Sequence, residues 1–170
     1  RRLGRALAPL LETGDVLALT GELGAGKTCL VQGLAAGLGV DGPVTSPTFM
    51  LQRTYRGRLP LVHLDVYRLE HVQDVLDLGD EALADDVVTV VEWGDTIAQL
   101  LPIDRLDLEL RHEEDLLARP PADGAPVPDL TDDRPRIVHL VARGAWVDRI
   151  TELAAPGDGV EPVVVDEGTP

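Results

Sequence analysis

The chain has one cysteine, Cys29, one lysine, Lys27, and no uninterrupted apolar run of membrane-spanning length. A lone cysteine excludes an intramolecular disulfide and any zinc cluster built on cysteines. Without about 20 consecutive apolar residues there is no candidate membrane helix, and no signal peptide is visible, so a cytoplasmic protein with no membrane partner is expected. The first residue is Arg1 rather than Met, which leaves room for residues upstream. Positive charge is also scarce: 15 basic residues face 30 acidic ones, and the net charge is -15. The excess is concentrated. Between His112 and Asp133 seven acids oppose Arg119 alone, and from Pro156 to Pro170 four acids stand without a base. Both stretches are rich in proline and read as solvated loop and tail. An acidic surface argues against direct binding to nucleic acid, because neutralising phosphates supplies most of the non-specific affinity. A protein partner is the better expectation.

What the chain does have is enough apolar material for a core. At 170 residues and 44 % hydrophobic content it is long enough for one well-buried domain and too short for two large ones. The expected organisation is one domain over 1–155, carrying an acidic Pro-rich loop over 112–135, and a loose acidic tail over 156–170.

The most specific stretch is Gly21-Glu22-Leu23-Gly24-Ala25-Gly26-Lys27-Thr28, which reads G-x-x-x-x-G-K-T. Glycines let such a loop turn tightly and point successive N–H groups inward at phosphate oxygens, while the following helix adds its positive end. Lys27 then reaches the β- and γ-phosphates, and the Thr28 hydroxyl stands where it can complete the shell of a Mg2+ that keeps most of its waters. That the one lysine falls here fits the need for a compact ammonium among phosphates, where arginine is bulkier and forked. The context agrees. Asp15 to Thr20 is a short apolar run suited to a strand buried on both faces, and Cys29, Leu30, Val31, Leu34, Ala35 and Leu38 recur at helical spacing until Gly39.

Other segments are read in turn. Leu3, Ala6, Leu7, Leu10 and Leu11 predict an opening helix that ends near Gly14. Val44-Thr45-Ser46-Pro47-Thr48-Phe49 breaks regular structure; it is either a segment that closes over a γ-phosphate, with a hydroxyl from Thr45, Ser46 or Thr48 on phosphate or metal, or an ordinary Ser-Pro turn. Phe49–Tyr55 and Leu59–Tyr67 predict two strands joined by Arg56-Gly57-Arg58, the second with His63, Asp65 and Tyr67 on one face. Asp65, at the end of an apolar strand, is either a metal- or water-positioning acid or a cap for the helix that follows. His63 alone reads as structural.

A helix is predicted from His71 to Leu83. Val87 to Val91 is the strongest buried-strand signal, and it ends in Glu92-Trp93-Gly94, so Glu92 competes with Asp65 as the acid after an apolar strand. Thr20, Asp65 and Glu92 all fall at carboxyl ends of predicted strands, the edge where open parallel sheets bind ligands. Arg105–Leu110 and Arg136–Val141 predict late strands, and Trp146, Ile150 and Leu153 a last helix. The fold class expected is α/β, P-loop NTPase-like: a mostly parallel central sheet flanked by helices, with some antiparallel strands.

The succession G-E-L-G-A-G-K-T, S-P-T-F, H-L-D-V-Y-R and V-E-W-G, from about Leu3 to about Leu140, resembles the TsaE (formerly YjeE) family of small bacterial P-loop ATPases. The resemblance implies an ATPase that works with TsaD and TsaB to install the threonylcarbamoyl group on adenosine next to the anticodon of tRNA. Such a protein is not itself the transferase; it binds the TsaD–TsaB assembly, and its hydrolysis of ATP supports turnover. Carried over, Glu22, Leu23, Gly24, Ala25, Gly26, Lys27 and Thr28 hold the nucleotide, and Thr28 with Glu92 contacts Mg2+. Lys27, Asp65 and Glu92 serve catalysis, Thr45 to Thr48 form a switch-like segment, and Trp93 packs near the nucleotide. Arg136 carries no motif of its own. The acidic stretch 112–133 and the tail have no counterpart in a minimal member.

Three other classes are weighed beside it. A GTPase is disfavoured because the guanine-reading N-K-x-D motif needs a lysine, and the only one is in the phosphate loop. A small-molecule or nucleotide kinase would use Arg53, Arg56, Arg58 and Arg68 as a lid over an acceptor phosphate, against the plainer reading that they face solvent or a protein. A nucleotide-gated binding module with little turnover would suit the lack of an identifiable arginine finger.

Overall fold

The structure, a computed structural model, describes residues 1–48, 50–67, 83–112 and 136–153. The helix expected over 71–83 lies outside them except for Leu83, as do residues 113–135 of the acidic loop, Arg68 and the tail.

Six strands are present among the described residues: β1 (Val16–Thr20), β2 (Gln52–Tyr55), β3 (Leu61–Asp65), β4 (Val88–Glu92), β5 (Leu106–His112) and β6 (Arg136–Ala142). They form one sheet in the order β2-β3-β4-β1-β5-β6. The inner four run parallel, and the two edges, β2 on β3 and β6 on β5, are antiparallel. This is the mixed, mostly parallel α/β sheet that the sequence leads one to expect.

Strand alternation divides the core in two. Leu17, Leu19, Val88, Val90, Leu106 and Leu108 point to one face, where they meet Leu7 of α1 (Arg2–Leu7), Leu30 and Leu34 of α2 (Lys27–Gly37) and Trp146 of α3 (Trp146–Arg149). Their alternates Val16, Ala18, Val62, Leu64 and Val91 pack on Ile97 and Leu101 behind the sheet. Both faces are covered, which is why β3 and β4 are buried at every residue and read as continuous apolar runs. α1 lies so close on α2 that a Cβ at Gly4 would stand 2.3 Å from the Leu30 carbonyl oxygen. Among the described residues no helix is long and apolar enough to cross a membrane.

Several boundaries differ from expectation. The opening helix is shorter: α1 stops at Leu7, and Ala8–Leu10 continue as a 3-10 turn with Pro9 near its start, since proline offers no N–H to an α-helical ladder. β2 starts at Gln52, not Phe49, because the Pro47 carbonyl accepts from both Met50 N and Leu51 N, each at 2.7 Å, and Leu51 takes a positive φ of 64°. β3 ends at Asp65, so Tyr67 is not on its face with His63; the Tyr67 amide instead donates to Asp65 Oδ1 at 3.2 Å, an Asx-type turn that takes the chain off the sheet. The last helix is a single turn, α3, followed by the 3-10 turn Ile150–Leu153.

The Arg56-Gly57-Arg58 turn precedes β3 and therefore lies at the sheet edge opposite Asp65 and Glu92. Arg58 Nη2 donates to the Ala8 carbonyl at 2.8 Å, bracing the end of α1. Arg56 and Arg58 are thus not placed as a lid over Asp65 or Glu92.

Candidate active site

Between β1 and α2, residues 21–26 form the glycine-rich loop, and Lys27 and Thr28 open the helix. Gly21 sits at φ 139°, with room for no side chain: a Cβ would come 2.3 Å from the Leu110 carbonyl oxygen of β5. Gly26 caps α2 at φ 104°, a conformation L side chains rarely adopt. The loop is thereby bent so that the first amides of α2, which have no intrahelical acceptor, face away from the helix at its positive end.

Lys27 is buried and its ammonium is held three ways. Nζ donates to the carbonyls of Gly21 at 2.5 Å and Glu22 at 2.9 Å, and stands 3.8 Å from the centre of the Trp93 ring. Burial lowers its pKa from the ordinary 10.5, against an opposing pull from Glu92, Asp65 and Asp95. Trp93 reaches that position at φ 63°, in the left-handed region, directly after β4, and its ring also stacks at 4.8 Å on the half-exposed Tyr67.

Asp65 and Glu92, both nearly fully buried, pair in register at the ends of neighbouring parallel strands. Their surroundings differ. Asp65 Oδ2 accepts from the hydroxyls of Ser46 and Thr48, each at 2.7 Å, which draws the 45–48 segment onto the sheet edge. Glu92 Oε1 accepts from Thr28 Oγ1 at 2.8 Å and from His63 Nε2 at 2.8 Å. Two residues that compete on sequence grounds as the acid of the site thus occupy it together.

These groups line one cavity of about 440 Å3. Leu23, Gly24, Gly26, Lys27 and Thr28 form one wall, Ser46, Thr48 and Asp65 another, and Glu92, Trp93 and Tyr67 the rest. Glu22 and Ala25 do not line it. They face a second recess of about 310 Å3 on the other side of the loop, with Glu109 to His112 of β5. Arg136 begins β6 opposite His112, at the same carboxyl edge of β5.

Among the described residues no three His, Cys, Asp or Glu side chains gather closely enough to cage a metal by themselves. A Mg2+ that keeps several waters and binds through one or two protein oxygens plus phosphates needs no such cage, so one hydroxyl and one carboxylate, Thr28 and Glu92, fit it. His63, which reads as structural from the sequence, lies on Glu92. The signal was available, since alternation put it on the Asp65 face of its strand, but nothing in the sequence says that β4 lies beside β3.

A sequence model of the family described as Threonylcarbamoyl adenosine biosynthesis protein TsaE matches residues 1–119, a span that includes the loop, Asp65 and Glu92. The chain belongs to the TsaE family. It is 48 % identical over 111 residues to the tRNA threonylcarbamoyladenosine biosynthesis protein TsaE of Treponema pallidum, covering 65 % of this chain and 82 % of that one. The Streptomyces coelicolor TsaE is 50 % identical over 114 residues, covering 65 % of this chain and 77 % of the relative. Among solved structures, Bacillus subtilis YdiB superposes with a TM-score of 0.62 at 31 % identity, covering 89 % of this chain and 84 % of that one. The TsaE family assigns this chain to tRNA threonylcarbamoyladenosine biosynthesis.

Proposed function

We propose that this TsaE-family protein binds Mg-ATP in the cavity between Lys27 and Glu92 and hydrolyses it to support TsaD-like and TsaB-like proteins. Its acidic surface gives it contact with tRNA only through them, and its place of action is the cytoplasm. The observation that carries the reading is the 2.8 Å hydrogen bond between Thr28, at the start of the helix after the phosphate loop, and Glu92, at the end of an apolar strand. Donating its proton to Glu92 leaves the Thr28 oxygen lone pairs for a cation.

In this reading residues Glu22 to Thr28 cradle the phosphates with backbone amides, and Lys27 leaves the Gly21 and Glu22 carbonyls for the β- and γ-phosphate oxygens, whose charge develops as the γ-phosphoryl departs. Thr28 and Glu92 would hold a bound Mg2+, which would supply neutralisation of the phosphate charge. Asp65, anchored by Ser46 and Thr48, orients the attacking water. Closing the 45–48 segment over the cavity keeps other water out. No arginine among the described residues lines this cavity, which suits slow turnover by the protein alone and faster turnover with partners.

The test is ATP hydrolysis measured for the protein alone, with TsaD-like and TsaB-like proteins added, and with candidate small-molecule acceptors. Stimulation by the protein pair is the expected result. Phosphorylation of an acceptor would replace the reading with a kinase, and an unchanged rate under every condition would replace it with a nucleotide-gated module. Glu92→Ala should abolish Mg2+-dependent turnover and keep nucleotide binding; parental turnover in that variant would overturn the site assignment.

A further inference from the structure

We infer that His63 is a positioning residue for Glu92, fixing the carboxylate that would hold the metal; this rests on the reading of Glu92 just proposed. His63 is fully buried in the middle of β3, and its Nε2 lies 2.8 Å from Glu92 Oε1 on the neighbouring strand. Thr28 Oγ1 donates to the same oxygen from the start of α2, also at 2.8 Å. Two donors from two different elements on one oxygen set the rotation of the carboxyl group, as one donor would not. Both fall on Oε1, so among the described residues Oε2 has no side-chain donor and is the oxygen left for a cation.

The ring geometry fits this role better than simple packing. A carboxylate accepts only, so the contact puts the imidazole proton on Nε2. Nδ1 is then an acceptor, and it is buried without a partner among the described residues. An unpaired buried nitrogen is a cost that an apolar residue would avoid. On its face of the sheet His63 is flanked along β3 by Leu61 and Asp65 and across the strands by Val90 and Arg53. Among the described residues the one hydrogen bond of this side chain is to Glu92, and what it does to Glu92 accounts for it. Carboxylates that ligate a metal commonly depend on such an outer hydrogen bond, whose loss weakens metal affinity about 10- to 100-fold.

The experiment compares the parent, His63→Leu and His63→Gln. Glutamine reaches about as far as the imidazole and can offer its amide N–H where Nε2 stood. Mn2+ affinity is read by electron paramagnetic resonance in the presence of a non-hydrolysable ATP analogue, nucleotide affinity without metal by fluorescence, and folding by thermal melting without ligand. His63→Leu should weaken Mn2+ binding about 10-fold or more, leave metal-free nucleotide affinity unchanged, and be rescued to within about 3-fold by His63→Gln. A folded His63→Leu with parental Mn2+ affinity overturns the inference, as does a folded His63→Gln as impaired as the leucine variant. If His63→Leu does not fold, His63→Gln decides: parental Mn2+ affinity supports positioning, and its loss overturns it. A parent that takes up no Mn2+ with nucleotide overturns the proposed function and this inference with it, an outcome distinct from the others.

Discussion

Asp65 and Glu92 stand side by side at the ends of β3 and β4, paired in register, yet their side chains share no hydrogen-bond partner among the described residues. Glu92 is tied to the phosphate loop and to His63, Asp65 to the 45–48 segment and the Tyr67 amide. The two acids should therefore fail differently. Glu92→Gln is expected to weaken Mn2+ binding about 10-fold or more. Asp65→Asn is expected to lower kcat about 100-fold with Mn2+ affinity within about 3-fold of the parent. Steady-state kinetics combined with metal titration checks the pair, and the opposite pattern would exchange their roles.

Ser46 and Thr48 hold their own segment down through Asp65. Replacing both, Ser46→Ala with Thr48→Val, leaves a buried carboxylate whose one remaining hydrogen-bond donor among the described residues is the Tyr67 amide. The loss should be about 2–3 kcal/mol of stability, the scale of hydrogen bonds to a charged group, measured by urea unfolding. Proteolysis near Met50 should quicken at the same time. A stable double variant with an unchanged digestion pattern would mean that the segment is held by something other than these hydroxyls.

Lys27 supplies a pH dependence with a definite sign. Its pKa in the ligand-free fold is lowered from 10.5, chiefly by burial, so between the lowered and ordinary values the unfolded chain binds more protons than the folded one. The contribution of this group to stability is therefore unfavourable at neutral pH and improves as pH rises through the lowered value. Nucleotide phosphates would stabilise the ammonium and raise its pKa, so binding should take up protons and weaken as pH rises through the alkaline range. Calorimetry at a series of alkaline pH values, in two buffers of different ionisation enthalpy, checks it. Proton release, or affinity that climbs with pH, would contradict the placement of Lys27 on the phosphates.

Trp93 offers an optical readout. Its indole lies under the Lys27 ammonium, while Trp146 is fully buried at α3. If Lys27 leaves the ring for phosphate, ATP should change the fluorescence of the parent and of Trp146→Phe but not of Trp93→Phe. A response that disappears instead with Trp146→Phe would contradict that movement.

Far from the cavity, Arg149 of α3 clasps Asp15 just before β1, with Nη2 on Oδ1 at 2.6 Å and Nη1 on Oδ2 at 2.8 Å. Those hydrogen bonds raise the Arg149 pKa further, and the guanidinium also lies 4.2 Å over the Trp146 ring. Since the pair is mostly buried, Arg149→Ala should cost about 3 kcal/mol, and Arg149→Lys should recover only part of it because a point charge cannot make the fork. Urea unfolding tests both, with a double-mutant cycle against Asp15→Asn.

The one-dimensional pattern alone determined the parts whose physics is local. The G-x-x-x-x-G-K-T run defines a loop because glycine conformations and the lysine sit at consecutive positions, and Val87 to Val91 reads as a strand because it is apolar throughout. Element ends were less legible: β2 starts late because the Pro47 carbonyl captures the amides of Met50 and Leu51, two hydrogen bonds that composition does not announce. Only the tertiary structure decided the pairing order that lays β4 between β1 and β3. From that order follow the meeting of Thr28 with Glu92 across 64 residues and of His63 with Glu92 across 29. It also put the Arg56–Arg58 turn at the wrong edge for a lid and joined Arg149 to Asp15. Contacts between distant segments depend on which strands become neighbours, and that is set by burying both faces of the whole sheet at once.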